Sequence, residues 1–163
     1  MANKIVRTSD ERGLDIVYKG TYAVSLPINP DWFKGNIEED CRGEELSNFQ
    51  VGVFVTIGED GYAKLADGAT AIAPKALVQA AQGYLWENMP TLASKKIAAI
   101  GAPCMIRTQQ VVENNIKPGT PIYLGTGDKA GMCTSTKGTS TCLLGICVEG
   151  NSADDETITI ELV

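Results

Sequence analysis

Hydrophobic and polar positions alternate in short runs along most of this chain, and the runs are separated by Gly, Asp, Asn and Pro. The clearest case is the last one. In Glu156–Val163, Ile158, Ile160 and Leu162 fall on one side of an extended segment, and Thr157, Thr159 and Glu161 on the other. A period of two marks a strand with one buried and one wet face. Similar runs predict strands over Leu14–Tyr18, Thr21–Leu26, Val51–Ile57, Cys104–Val112, Thr120–Leu124, Ala130–Thr134 and Cys142–Val148. Gly58-Glu59-Asp60-Gly61 predicts a hairpin turn leading into a return strand at Tyr62–Ala66, because Asp-Gly tolerates the positive φ that tight hairpins need. Val51–Ala66 and Pro121–Thr134 share this layout, a weak internal echo.

The β rhythm breaks in two places. Residues 27–50 hold Pro27, Pro30, Gly35, Gly43 and several carboxylates, which predicts a loop with one helical turn at Pro30–Lys34. Trp32 and Phe33 lie in that loop, and aromatic side chains there either pin the loop to the core or plug into a partner. Over 74–101, Leu77, Val78, Ala81, Leu85 and Trp86 fall near helical spacing after Pro74, which predicts a helical insertion. Residues 1–13 are polar and read as a flexible arm before a single β-rich domain over 14–163. The fold expected is therefore mainly β: a small antiparallel β-barrel or sandwich with an extended N-terminal arm and a short helical insertion.

Composition narrows the chemistry. A net charge of −6 disfavours a phosphate-binding surface, so no direct nucleic-acid contact is expected. No apolar run reaches the length of a membrane span, and the first residues lack a leader's apolar core, so no membrane contact is expected either. The chain has no His, which removes Ser-His-Asp and Cys-His catalysis and the commonest general base. Its five Cys lack the paired spacing of a zinc site, and Cys104, Cys133 and Cys147 sit in apolar runs, where a reduced thiol acts as a small hydrophobe. Gly125–Gly131 departs from the phosphate-loop pattern and reads as a hairpin turn. The acidic groups Glu38-Glu39-Asp40, Glu59-Asp60 and Asp154-Asp155-Glu156 read as solvated turns. No catalytic residue, cofactor or metal site is expected.

The run Lys-Pro-Gly-Thr-Pro-Ile-Tyr-Leu-Gly from Lys117, the Asp-Lys-Ala-Gly-Met-Cys-Thr from Asp128, the Leu-Leu-Gly-Ile-Cys-Val-Glu-Gly from Leu143 and the closing strand resemble the capsid decoration (cement) proteins of bacteriophages. The resemblance covers about a third of the chain, and 74–101 departs from it. It implies a virion structural protein on the outer surface of an icosahedral head, acting as a homotrimer that clamps neighbouring major capsid protein subunits. It also implies an N-terminal arm, here residues 2–18, that adds a strand to a capsid sheet. Lys4, Ile5, Val6, Ile16 and Val17 are the arm residues expected to bind, with Trp32, Phe33 and Trp86 in the loops. Competing readings are a head-fibre base or tail component, a carbohydrate- or cell-surface-binding module using Trp32, Phe33, Tyr62, Tyr84 and Trp86, and a carboxylate-based hydrolase.

Overall fold

Twelve strands make two antiparallel sheets in the computed structural model, which describes residues 6–9, 14–19, 23–32, 45, 48–79 and 96–163. In chain order they are β1 (Val6–Ser9), β2 (Leu14–Lys19), β3 (Val24–Pro27), β4 (Phe54–Ile57), β5 (Ala63–Leu65), β6 (Lys75–Gln79), β7 (Lys96–Ile100), β8 (Cys104–Thr108), β9 (Pro121–Leu124), β10 (Cys133–Thr134), β11 (Leu143–Glu149) and β12 (Ile158–Leu162). The larger sheet has the order β1-β2-β8-β12-β11-β9-β10, and the smaller β3-β7-β6-β4-β5. The mainly β expectation holds.

The larger sheet curls into a half-barrel. Past the end of β8, the chain reaches the far side of β10: Val111 bridges Cys133, the Cys133 amide donates to Gln110 O and the Val112 amide to Cys133 O, both at 2.9 Å. Period-two burial fills the barrel. Cys104 and Ile106 of β8, Ile122 and Leu124 of β9, Leu144 and Cys147 of β11, and Ile158, Ile160 and Leu162 of β12 all point inward. The smaller sheet closes the open side with Phe54, Ala76, Val78 and Ile100. Its other face is buried too, in a second cluster of Ile28, Phe49, Val53, Val55, Ala63, Leu77, Ile97 and Ala99.

That double burial redraws the two ends of the helical insertion expected over 74–101. Lys75–Gln79 and Lys96–Ile100 are paired strands in the middle of the smaller sheet. Ala76 and Val78 face the barrel while Leu77 faces the second cluster, so both sides of the strand are apolar. A short continuous apolar run carries no usable periodicity, and helical spacing within it is accidental. Residues 80–95, with Ala81, Leu85 and Trp86, lie outside the described residues. The arm expectation changes as well. Val6–Ser9 pairs antiparallel with β2, with Val6 opposite Ile16, and β2 pairs with β8. This part of the arm is a hairpin continuing the chain's own sheet.

Backbone hydrogen bonds join the two sheets. Phe54 N donates to Gly131 O at 2.7 Å, Gly131 N to Ala66 O at 2.8 Å, and Ala66 N to Phe54 O at 3.0 Å. The ring ties the β4–β5 hairpin to the β9–β10 turn, and its Gly131 has φ +84°, a conformation that L side chains rarely adopt. A second tie runs through the Asp67–Ala71 turn. Gly68 N donates to Gly125 O and Thr141 N to Gly68 O, both at 2.8 Å, while Asp67 Oδ2 accepts from Gly127 N. The two hairpins that echo each other in sequence therefore meet in space, one from each sheet.

Two positions in the half-barrel leave no freedom. Gly145 lies between β9 and β12, and a Cβ there would sit 1.9 Å from Glu161 O. Gly145→Ala is expected to destabilise the protein by about 3 kcal/mol, because the β12 backbone at Glu161 and Leu162 must move; an unchanged urea midpoint would contradict this packing. Asn151 is buried between two loops. Its Nδ2 donates to Glu113 O and Glu156 O, and its Oδ1 accepts from Ile116 N. Asn151→Ala strands those groups and is expected to cost about 2 to 3 kcal/mol in the same measurement.

Candidate interaction surface

The predicted binding residues fall into three groups. Val6 lies in β1 and Ile16 and Val17 in β2, so the register brings these three together at one end of the larger sheet. A break in register between Ile16 and Tyr18 marks a bulge at Val17 where β2 runs along β8. Trp32 lies apart from them, on a 3-10 turn at Pro30–Trp32 where the Asp31 amide donates to Asn29 Oδ1. Its ring packs on Phe49 with centroids 5.4 Å apart and adds to the second core cluster. That is the pinning role open to an aromatic in this loop. Lys4, Ile5, Phe33 and Trp86 lie outside the described residues.

The ends of the sheets differ in how they are finished. The far side of β10 is covered by 110–112. In the smaller sheet, β5 is three residues long and β3 ends at Pro27, which has no amide to offer a neighbour. β1 has β2 on one side and no described strand on the other. A strand so placed presents main-chain donors and acceptors to another chain.

The outer face of the half-barrel carries a polar row across three strands. Arg107 of β8, Thr159 of β12 and Glu149 of β11 are register partners. Arg107 Nη2 meets Glu149 Oε2 at 2.9 Å, Arg107 Nε donates to Thr159 Oγ1 at 3.3 Å, and Thr159 Oγ1 donates to Glu149 Oε2 at 3.1 Å. The bridge lies over Thr159 and leaves it only 1% exposed, although it sits on the wet side of β12. Sequence reading missed this network. Arg107 and Glu149 are far apart in the chain, and only the β8-β12-β11 register makes them neighbours.

Among the described residues, two small cavities open on the surface. One, about 190 Å³, lies between Phe54, Lys75, Gly101, Leu143 and Val163. The other, about 310 Å³, is lined by Glu113, Thr126, Lys129, Thr136 and Lys137. Typical ligand pockets begin at about 300 Å³. The Glu113 carboxylate in the second is engaged by the Thr134 hydroxyl and the Ser135 amide. Among the described residues, no three His, Cys, Asp or Glu side chains gather as a metal would need, and no helix is long and apolar enough to cross a membrane.

The thiols Cys104, Cys133 and Cys147 are buried and Cys142 is half-buried, all four free; Cys41 lies outside the described residues. Burial pushes Cys104 up to about 11 and raises the other three, with the Glu113 charge adding at Cys133 and the Glu149 charge at Cys147. Each is held as the neutral thiol, the weak nucleophilic form. Gly125–Gly131 is the turn between β9 and β10, with a 3-10 segment at Gly127–Lys129.

Searches against protein-family models, curated proteins and solved structures found no significant match.

The thiols set an alkaline limit. A folded-state pKa raised above the unfolded value stabilises below the unfolded value, and the contribution is lost as pH climbs through the folded one. For Cys104 that window runs from 9.0 to about 11. In a Cys41→Ser background, the urea midpoint is expected to fall as pH rises above about 9. At neutral pH, iodoacetamide should label Cys142 first and Cys133 only on unfolding; rapid native-state labelling of Cys133 would contradict the burial. Asp155 has the opposite sign. Hydrogen bonds from the Thr157 hydroxyl and amide, helped by the Arg107 charge, lower it, so its contribution is lost as the solution is acidified.

Proposed function

We propose that this protein is a non-enzymatic virion structural protein that binds the outer surface of an icosahedral phage capsid and cements neighbouring major capsid protein subunits. The observation that carries the reading is the position of β1. It belongs to the N-terminal segment that the decoration-protein resemblance marks as the capsid-binding arm, and it ends the larger sheet with one side unmatched among the described residues. Adding a strand there supplies main-chain hydrogen bonds without demanding a particular side chain. The other sheet ends are covered, short or closed by proline, which favours β1 as the docking strand.

In this reading the half-barrel is the rigid base and the β1–β2 hairpin the clamp. A homotrimer presents three clamps to one capsid locus, and modest strand contacts become lasting because the second and third engage at high effective concentration. Trp32 holds the loop after β3 against the second cluster.

Deletion of residues 2–13 removes β1 and leaves β2 as the terminal strand. The truncated protein is expected to keep its β circular dichroism and cooperative melting, because none of the described core residues is lost. Occupancy on purified heads stripped of the protein should require roughly thirtyfold more protein, the equivalent of about 2 kcal/mol of lost strand pairing per chain. Equal occupancy by the truncated and full chains would overturn the clamp, and absence of the chain from purified virions would overturn the capsid reading altogether.

A further inference from the structure

The outer face of the half-barrel bears a second row next to the polar one. Met105 of β8, Glu161 of β12, Ile146 of β11 and Pro121 of β9 are successive register partners. Residues directly opposite on one face of a sheet lie about 5 Å apart, so these four form a band across four strands. Next to it, Leu143 stands opposite Tyr123, and Val163 follows β12 with its amide donating to Leu144 O. Ile146 is 46% exposed, Leu143 47% and Val163 69%. Isolated exposed apolar side chains are ordinary, but a contiguous group on a rigid sheet marks a contact surface.

Glu161 stands in the middle of this patch. Its carboxylate is exposed and makes no hydrogen bond or ion pair with any described residue. The contrast with the adjacent row is direct, since there Glu149 is neutralised by Arg107 and bonded by Thr159. An uncompensated carboxylate amid apolar side chains sets the charge of whatever covers it. A second copy laid face to face would bring one Glu161 towards the other and bury two like charges, which is strongly unfavourable. A segment bearing a cation between apolar side chains would bury the patch and pair the carboxylate.

We infer that this face, centred on Ile146 and Glu161, docks a polypeptide segment of a partner protein in which a lysine or arginine is flanked by branched apolar residues. The face lies across β8, β12, β11 and β9, separate from the β1 end, so the inference stands whether or not β1 meets a capsid subunit.

The test uses the full ¹⁵N-labelled chain and two capped peptides, one alternating valine with lysine and the other valine with glutamate. The lysine peptide is expected to give saturable amide shifts at Met105, Tyr123, Ile146 and Glu161, weakening as salt is raised, and the glutamate peptide none. Glu161→Gln should raise the apparent Kd at least threefold, and Glu161→Lys should abolish the shifts. Both variants keep the fold, because the side chain is exposed and has no described partner. Shifts confined to other surfaces, equal binding by Glu161→Lys, or shifts of these same amides on dilution without peptide would each overturn the inference; the last would show a second copy occupying the face.

Discussion

The ring of hydrogen bonds through Phe54, Ala66 and Gly131 is the constraint on which the rest of the structure depends. It is built from backbone alone, and it joins a hairpin of one sheet to a hairpin of the other. Once it forms, Phe54 is carried into the mouth of the half-barrel, where its side chain is fully buried. The half-barrel has no interior of its own without that lid: Ile106, Ile122, Leu124, Ile158 and Ile160 would face water on their open side. The hydrophobic effect drives the closure but is non-directional. The ring sets its register, and the Asp67–Ala71 turn docked against Gly125 and Thr141 repeats the tie.

Two surfaces follow from this arrangement. Curling the larger sheet covers the far side of β10, which leaves the β1–β2 hairpin at its other end. Filling the barrel with one set of alternating residues turns the other set outward, and these form one internally paired polar row and one apolar row with a lone carboxylate. Neither surface calls for catalytic side chains. The described thiols are all held neutral by burial, and the Glu113 carboxylate is spent on organising its neighbouring loop. The work proposed for this molecule is adhesion, with the half-barrel holding two differently built contact regions in a fixed relation.

Much of this was legible in the sequence. Strict alternation located β12, and the Gly-Glu-Asp-Gly turn located the β4–β5 hairpin, because in both the local signal and the tertiary environment agree. Buried Cys104, Cys133 and Cys147 behave as the small hydrophobes their apolar neighbours implied. The sequence misled at Lys75–Gln79 and Lys96–Ile100, where a sheet buried on both faces erases the alternation that identifies a strand. It was silent on Arg107, Glu149, Asn151 and the exposure of Ile146. Each depends on which strands lie side by side, and register between distant segments is a property of the assembled sheet. The docking role proposed for β1 rests on resemblance, whereas the patch around Glu161 carries no local motif at all.

Native-state amide hydrogen exchange measures the dependence on the ring most directly. If the ring locks the two sheets into one cooperative unit, the amides of Phe54, Ala66 and Gly131 exchange only through global unfolding. Their opening free energies then match those of Ile106 and Ile160 in the half-barrel core. Gly131 or Phe54 exchanging by local opening, at about 2 kcal/mol or more below Ile160, would contradict it, because the sheets would then hold together without the junction.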